Sequence, residues 1–216
     1  RLQRTFAERG EWFFSPWNVD KVRDPKSGEE FDFADAPTEL LTKSQDPWVL
    51  RPGQHWHGFD NMADDWCMLD PIKVTLVMPG LTAGGALSDC GIPAAVVSKF
   101  LWERGLVVEK TGLYSFLVLF SMGITKGKWS TLLTELLEFK RNYDANVSLA
   151  SCLPSVFAQG PVRYQGLGLR DLCDQLHSCY RSNATARHLK RMYTVLPQIA
   201  MKPADAYDQL VRGEVE

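Results

Sequence analysis

The pattern of apolar and polar residues is most regular between residues 91 and 143. One apolar stripe at helical spacing predicts a helix with Pro93 in its first turn and Gly105 just past its end. That stripe consists of Val96, Val97, Phe100 and Leu101. A second stripe predicts a longer helix, which Thr125 can cap. Its members are Trp129, Leu132, Leu133, Leu136 and Leu137.

Short apolar runs rich in β-branched residues predict three strands, at residues 72–78, 106–108 and 116–120. Only a short segment around residues 110–114 lies between the last two strands, so we expect them to form an antiparallel hairpin. Taken in order, the elements make a β-α-β-β-α unit with its helices packed against one sheet. The predicted fold class is therefore α/β (α+β).

The segments before this unit carry weaker signals. Residues 1–10 predict a helix that ends at a glycine, and the aromatic residues 11–19 predict a short strand or an ordered loop. A short helix is expected after Asp35, and a strand is expected at residues 47–50. The glycine-rich residues 80–91 predict a loop, which lacks the lysine and the following helix of a phosphate-binding loop.

The chain after residue 146 is rich in predicted helices and poor in predicted strands. Residues 169–180 place apolar side chains on one helical face, Asn183 can cap a further helix, and Pro203 opens another. This change of character divides the chain into a mixed α/β domain over residues 1–146 and part of a helical domain over residues 147–216.

Composition narrows the class of protein but indicates no reaction. The chain has 216 residues, of which 45% are hydrophobic and 23% charged, and its net charge is −2. Such a charge gives no reason to expect nucleic acid or an anionic membrane as a partner, and no apolar run approaches the length of a membrane span. The five cysteines are odd in number and scattered, which favours a reducing cytosol over a disulfide framework. The opening residues resemble the end of a helix already under way, so we expect a piece of a longer chain.

Two groups of residues are candidates for a binding site. Glu109, Lys110 and Thr111 are expected where a strand meets a turn, a common place for binding residues, although pattern alone favours a solvated hairpin tip. His55 and His57 lie in the sequence HWHGF and either face a ligand or are satisfied within an aromatic core. Pattern alone favours the aromatic core, and no further ligands complete a metal site around these histidines.

No Ser-His-Asp, Cys-His or paired-carboxylate arrangement stands out in the chain. Residue patterns by themselves therefore predict a cytosolic α/β domain with a helical tail and no identified reaction.

Several longer motifs resemble the bacterial Orn/Lys/Arg decarboxylases, fold type I enzymes that use pyridoxal 5′-phosphate (PLP). These are WHGF (56–59), MLDPIKVTL (68–76), GIPA (91–94), VVEKTGLY (107–114), LFSMGITKGKW (119–129) and FKRNYDAN (139–146). The resemblance extends over the whole chain. It implies an aminotransferase-like small subdomain over residues 1–146 and the start of the C-terminal domain at residues 147–216. It also implies that PLP is bound mainly upstream, where the family carries its Schiff-base lysine after a Ser-x-His motif.

The resemblance also implies roles for particular residues. The family's glutamate in the EKTG segment lies in the active site and faces the distal amine of the substrate, which makes Glu109 the expected substrate-binding residue, together with Lys110, Thr111 and Gly112. His55 and His57 are candidates for a wall of that site. The resemblance places no catalytic, cofactor-binding or metal-binding residue in this chain, so the fragment alone should be inactive.

The substrate expected from the resemblance is lysine. The segment EKTGLY resembles lysine decarboxylases, whereas GKW and FKRNYDAN look closest to the arginine branch; such mixed sequences occur among pseudomonad-type lysine decarboxylases. Because specificity lies in the site, we expect conversion of L-lysine to cadaverine and CO₂ by a cytoplasmic homo-oligomer. The alternatives are arginine to agmatine, ornithine to putrescine, or a non-catalytic binding or assembly module.

Overall fold

The computed structural model describes residues 4, 5, 8, 14–63, 67–82 and 85–214. Its strands are β1 (Ser15–Pro16), β2 (Lys21–Arg23), β3 (Glu30–Asp32), β4 (Lys73–Val77), β5 (Lys110–Thr111) and β6 (Ser115–Leu119). Its larger helices are α1 (Thr38–Lys43), α2 (Ala94–Trp102), α3 (Lys126–Asp144), α7 (Leu169–Ser182), α8 (Thr185–Met192) and α9 (Pro203–Arg212). The short helices α4 (Leu149–Cys152), α5 (Pro154–Ala158) and α6 (Pro161–Tyr164) lie between α3 and α7.

The main sheet has four antiparallel strands in the order β1-β4-β6-β5. Its centre is the pairing of β4 with β6, in which Leu76 lies opposite Phe116 and both side chains are buried. In chain order β4, α2, β5, β6 and α3 form the predicted β-α-β-β-α unit, and the α/β fold class is confirmed. Strands β2 and β3 form a separate hairpin with a small core of its own around Val22, Phe33 and Ala36.

Local sequence signals determine where the two long helices of this unit begin and end. Pro93 is the cap residue before α2 rather than its first helical residue, and Gly105 has the positive φ of 77° that ends a helix without a Cβ clash. The Thr125 hydroxyl accepts a hydrogen bond from the N–H of Lys128, which confirms it as the cap of α3. Both predicted apolar stripes face the core, except that Leu137 of the second stripe is only partly buried and lies outside the core cluster.

One hydrophobic core joins the sheet, α2, α3 and the helices α4 to α7 that follow residue 146. At its centre the Phe139 ring of α3 lies 5.2 Å from the Phe100 ring of α2 and 6.0 Å from that of Phe14, measured between centroids. Leu149 and Leu169, which follow residue 146, are fully buried in the same cluster. The core therefore continues across the predicted boundary at residue 146.

Two predicted strands differ in the structure. Residues 106–108 form an irregular connection and the strand begins at Lys110, because Leu106 still closes the end of α2 through its N–H, which donates to the carbonyl of Leu101. Residues 47–50 begin within a 3₁₀ turn, Asp46–Trp48, in which Pro47 suits a helical start and cannot donate to a sheet. The expected strand is reduced to Val49, which forms an isolated antiparallel bridge with Met68.

The tail also departs from the prediction at one cap. Asn183 ends α7 instead of opening α8: its side-chain amide donates to the carbonyl of Cys179 at 2.9 Å, and Ala184 caps α8 with a positive φ of 48°. The short helix expected after Asp35 is present as α1. The helix predicted for residues 1–10 lies largely outside the described residues, as do residues 11–13 of the aromatic segment.

Candidate functional site

The four predicted substrate-binding residues, Glu109 to Gly112, lie along the edge strand β5 of the main sheet. The N–H of Glu109 donates to the carbonyl of Leu117 at 2.9 Å, and the N–H of Gly112 donates to the carbonyl of Ser115 at 2.7 Å. Hydrogen bonds to β6 thus fix the backbone at both ends of the segment, while all four residues are exposed. The sequence had suggested that Glu109 ends an apolar strand. In the structure it instead directly precedes the two-residue strand β5.

The side chains of this segment differ in how they are held. The Thr111 hydroxyl lies 2.9 Å from that of Ser98 on α2, which ties the strand to the helix beneath it. A depression of about 440 Å³ between α2 and β5 lies beside this contact, and Trp102 and Val108 are among the residues that line it. Within the part of the chain that the structure describes, no side chain pairs with the Glu109 carboxylate. That carboxylate can therefore accept a cation brought from outside the described residues.

His57, one of the two residues predicted to form a wall of the site, makes its hydrogen bonds to residues near it in the chain. Its Nδ1 accepts a hydrogen bond from the N–H of Phe59 at 2.9 Å, so its Nε2 carries the proton and donates to the carbonyl of Arg51, also at 2.9 Å. The ring stacks on Phe59 and meets Trp56 edge-on. Both ring nitrogens are thus used within the loop, which agrees with the aromatic-core alternative for this histidine.

The histidine loop and the hairpin lie at opposite edges of the sheet. Trp17, which follows β1 and donates its N–H to Thr75 of β4, packs edge-on against Trp56. Three strand spacings of about 4.8 Å separate β1 from β5, so the two edges are roughly 14 Å apart. His55 is exposed on this loop. The described residues therefore do not bring His55 and His57 together with Glu109.

Sequence reasoning missed a buried polar pair directly beside the hairpin. The Tyr114 hydroxyl lies 2.6 Å from Nδ1 of His177, and Nε2 of His177 lies 2.9 Å from the carbonyl oxygen of Ser88. Both side chains are only 2% exposed. Helical spacing in α7 could have predicted that His177 is buried, because it lies four residues after the buried Cys173 and eight after the buried Leu169.

The protonation of this pair follows from burial. Burial raises the pKa of Tyr114 to about 12, with a smaller contribution from neighbouring Tyr180, so its hydroxyl stays protonated at neutral pH. The Ser88 carbonyl can only accept, so Nε2 of His177 donates to it, and in the neutral tautomer with this proton Nδ1 accepts from Tyr114. The pair is satisfied by a neutral histidine of one tautomer.

No lysine of this chain follows a Ser-x-His motif, which the resemblance implies for the lysine that anchors PLP. All its lysines lie within the described residues, and none is buried. The two that are half-buried have other partners: Lys99 lies 3.7 Å above the Trp102 ring, and Lys140 is 2.6 Å from the Asp144 carboxylate. The described residues also contain no cluster of histidine, cysteine and carboxylate side chains that could hold a metal ion.

The chain folds as an α/β unit whose exposed hairpin offers Glu109 as a candidate contact for a cationic ligand. Comparison with known sequences identifies the family to which it belongs. The family profile described as Orn/Lys/Arg decarboxylase, major domain, matches residues 1–128, more than half of the chain. The chain belongs to this family, as the motifs predicted. No helix of the described residues is long and apolar enough to cross a membrane.

Individual relatives match along almost the whole chain. The chain is 61% identical to lysine decarboxylase LdcA of Pseudomonas aeruginosa over 99% of its own length, which is 26% of the relative's. It is 44% identical to the biodegradative arginine decarboxylase of Escherichia coli over its whole length and 29% of the relative's. The structure of the E. coli constitutive lysine decarboxylase matches with a TM-score of 0.77 and 37% identity, over the whole chain and 28% of that structure. The chain thus spans about a quarter of the length of these relatives.

Proposed function

We propose that the chain is the C-terminal part of a PLP-dependent decarboxylase that converts L-lysine to cadaverine and CO₂. The observation that carries this proposal is the Glu109 carboxylate, presented on a backbone fixed by β6 and without a partner among the described residues. The higher identity to a protein named a lysine decarboxylase than to one named an arginine decarboxylase supports the choice of substrate.

In this proposal Glu109 binds the distal ammonium of lysine. A carboxylate gives that ammonium a charge-assisted hydrogen bond, which is stronger than one between neutral groups. Binding the far end of the substrate holds its α-carbon in a defined position, which lowers the entropic barrier to reaction. Lys110, Thr111 and Gly112 shape the same segment, and the contact of Thr111 with Ser98 limits its movement.

The rest of the enzyme supplies what these residues lack. PLP, held mainly by protein outside this chain, provides the electron sink for breaking the bond between the α-carbon and the carboxylate. We further propose a homo-oligomer, a dimer or larger, because exposed aromatic surface such as Phe59, 53% exposed, is typical of interfaces. A cytoplasmic location fits the five cysteines, all of them free thiols.

The test is Glu109→Gln in the full-length enzyme, because this change keeps the shape of the side chain and removes its charge. We expect kcat/KM for lysine to fall by about 30- to 1000-fold, while the absorbance of bound PLP stays unchanged. The matched control is Glu29→Gln, an exposed glutamate of the β2–β3 hairpin. A kcat/KM within threefold of the parent would make Glu109 a solvated hairpin residue.

Arginine is the second candidate substrate, since the segments GKW and FKRNYDAN resemble the arginine branch and the chain is 44% identical to an arginine decarboxylase. Measuring kcat/KM of the same full-length enzyme for lysine, arginine and ornithine separates these candidates. A tenfold or larger preference for arginine or ornithine would contradict the assignment to lysine.

A further inference from the structure

We propose that His177, on helix α7, is a positioning residue for substrate recognition: it acts through the Tyr114 hydroxyl to hold the hairpin that carries Glu109. This inference rests on the proposed function, because it assumes that Glu109 contacts the substrate. It assigns a role in substrate binding to a helix far along the chain from the candidate site.

The hairpin is fixed from three directions, and His177 provides one of them. The carbonyl of Leu113 accepts a hydrogen bond from the N–H of Ala94 at the start of α2, at 2.8 Å. The carbonyl of Tyr114 accepts one from the N–H of Met78, just after β4, at 2.9 Å. Both of these bonds involve the backbone. Of these three bonds, the one from the Tyr114 side chain to His177 is the one that substitution of a side chain can remove without altering the sheet.

The Tyr114–His177 pair also binds the glycine-rich loop of residues 80–91. Nε2 of His177 donates to the carbonyl of Ser88, and one turn later Arg181 lies 3.3 Å from the carboxylate of Asp89. One face of α7 therefore contacts the hairpin and the loop together. The helix thus contacts two segments that lie far from it along the chain.

The glycines of this loop allow the two rings to approach its backbone. A Cβ at Gly80 would lie inside van der Waals contact with the Tyr114 ring, and one at Gly91 would do the same with the His177 ring. Gly80 also has a φ of 135°, which L side chains rarely adopt. The loop backbone therefore lies directly against both rings at Gly80 and Gly91.

The two hydrogen bonds of His177 can be removed one at a time. His177→Gln keeps an amide donor near the position of Nε2, which preserves the bond to Ser88 and leaves the Tyr114 hydroxyl without its acceptor. His177→Asn places a carbonyl oxygen near the position of Nδ1, which preserves the bond to Tyr114 and removes the one to Ser88. Tyr114→Phe removes the same bond as His177→Gln from the other side, with almost no change in volume.

The experiment measures KM and kcat for lysine, with the inhibition constant of norleucine, in the full-length enzyme with PLP. Norleucine has the chain of lysine without its distal amine, so its binding does not depend on Glu109. His177→Gln and Tyr114→Phe are expected to raise KM for lysine roughly three- to thirtyfold, with kcat and the norleucine constant within about threefold of the parent. His177→Asn is expected to restore KM to within about threefold.

The controls separate positioning from a purely structural role. His188→Gln and Tyr193→Phe make the same chemical changes at exposed positions of the tail and should leave all three constants unchanged. KM does not depend on how much of the enzyme is folded. A variant that lowers kcat alone has therefore only lost folded protein, and that result would overturn the inference. An unchanged KM in both His177→Gln and Tyr114→Phe would overturn it as well.

A double-mutant cycle tests whether His177 acts through Glu109. If it does, His177→Gln adds little to the effect of Glu109→Gln on KM, since the contact is already lost; additive effects would refute the link. If Glu109→Gln alone changes nothing, the proposed function fails and this inference fails with it. If Glu109→Gln raises KM and His177→Gln does not, only the role of His177 is refuted.

Discussion

The single core that crosses residue 146 predicts that Leu169→Ala destabilises the sheet as well as the tail. Leu169 opens α7 with its side chain fully buried, and its N–H donates to the carbonyl of Val147 at 2.9 Å. The same cluster contains Phe139 of α3 and Leu76 at the centre of the sheet. Shortening Leu169 therefore leaves a cavity that both parts of the chain line.

The size of the effect follows from this burial. Leucine-to-alanine changes at fully buried positions cost about 2–5 kcal/mol, which combines lost transfer free energy with the cavity left behind. We expect about 3 kcal/mol for Leu169→Ala, because the backbone bond to Val147 limits how far the helix end can collapse into the space. For a chain of this size each kcal/mol lowers Tm by about 2–4 °C, so the expected fall is about 6–12 °C.

The assay is urea unfolding of the chain, with amide hydrogen exchange resolved by segment. Protection should fall together in β4, α3 and α7. The matched control is Leu196→Ala, at a position 84% exposed, which should change the free energy of unfolding by less than about 0.5 kcal/mol. If residues 147–216 lost protection while residues 14–146 kept the parental stability, the two parts would be independent domains and the reasoning would be refuted.

Two further predictions concern acid stability and the activity of the chain by itself. The N–H of Gly168, and after it the amide of Asn146, hold the pKa of Asp171 below its ordinary value, so the stability it contributes is present above about pH 4 and lost as pH falls through the lowered pKa. Asp171→Asn should therefore flatten the loss of unfolding free energy below pH 4, and a curve as steep as the parent's would contradict this. The chain incubated with PLP and lysine should release no CO₂, because it lacks the Ser-x-His-Lys motif that carries the family's Schiff-base lysine; borohydride trapping of PLP on a specific lysine would contradict that prediction.

Much of the fold could be predicted because its signals are local. The apolar stripes of α2 and α3 repeat at helical spacing, and Gly105 and Thr125 mark a helix end and a helix start by their own backbone and side-chain chemistry. The strand at residues 106–108 could not be placed in the same way. A short apolar run is equally typical of a strand and of a buried connection, and only the register with β6 decides which residues pair.

The candidate site, like the fold, was predictable only where its signals are local in the sequence. Sequence motifs led to Glu109 and to the decarboxylase family, and the family is confirmed, whereas the role of Glu109 stays a prediction. No sequence signal separated His57 from Glu109, since only strand order places them at opposite edges of the sheet. The partner of His177 could not be predicted from the sequence either, because Tyr114 lies 63 residues away along the chain.

The sequence by itself thus determined the two long helices α2 and α3, the presence of a hairpin between them and the family, which depend on neighbouring residues and on motifs that stand in order along the chain. Tertiary structure alone decided which polar groups meet. Buried donors and acceptors must find partners, and those partners come from whichever segments the packing brings together. For His177 they are Tyr114 of the hairpin and Ser88 of the loop, and packing around the shared core brings both to one face of α7.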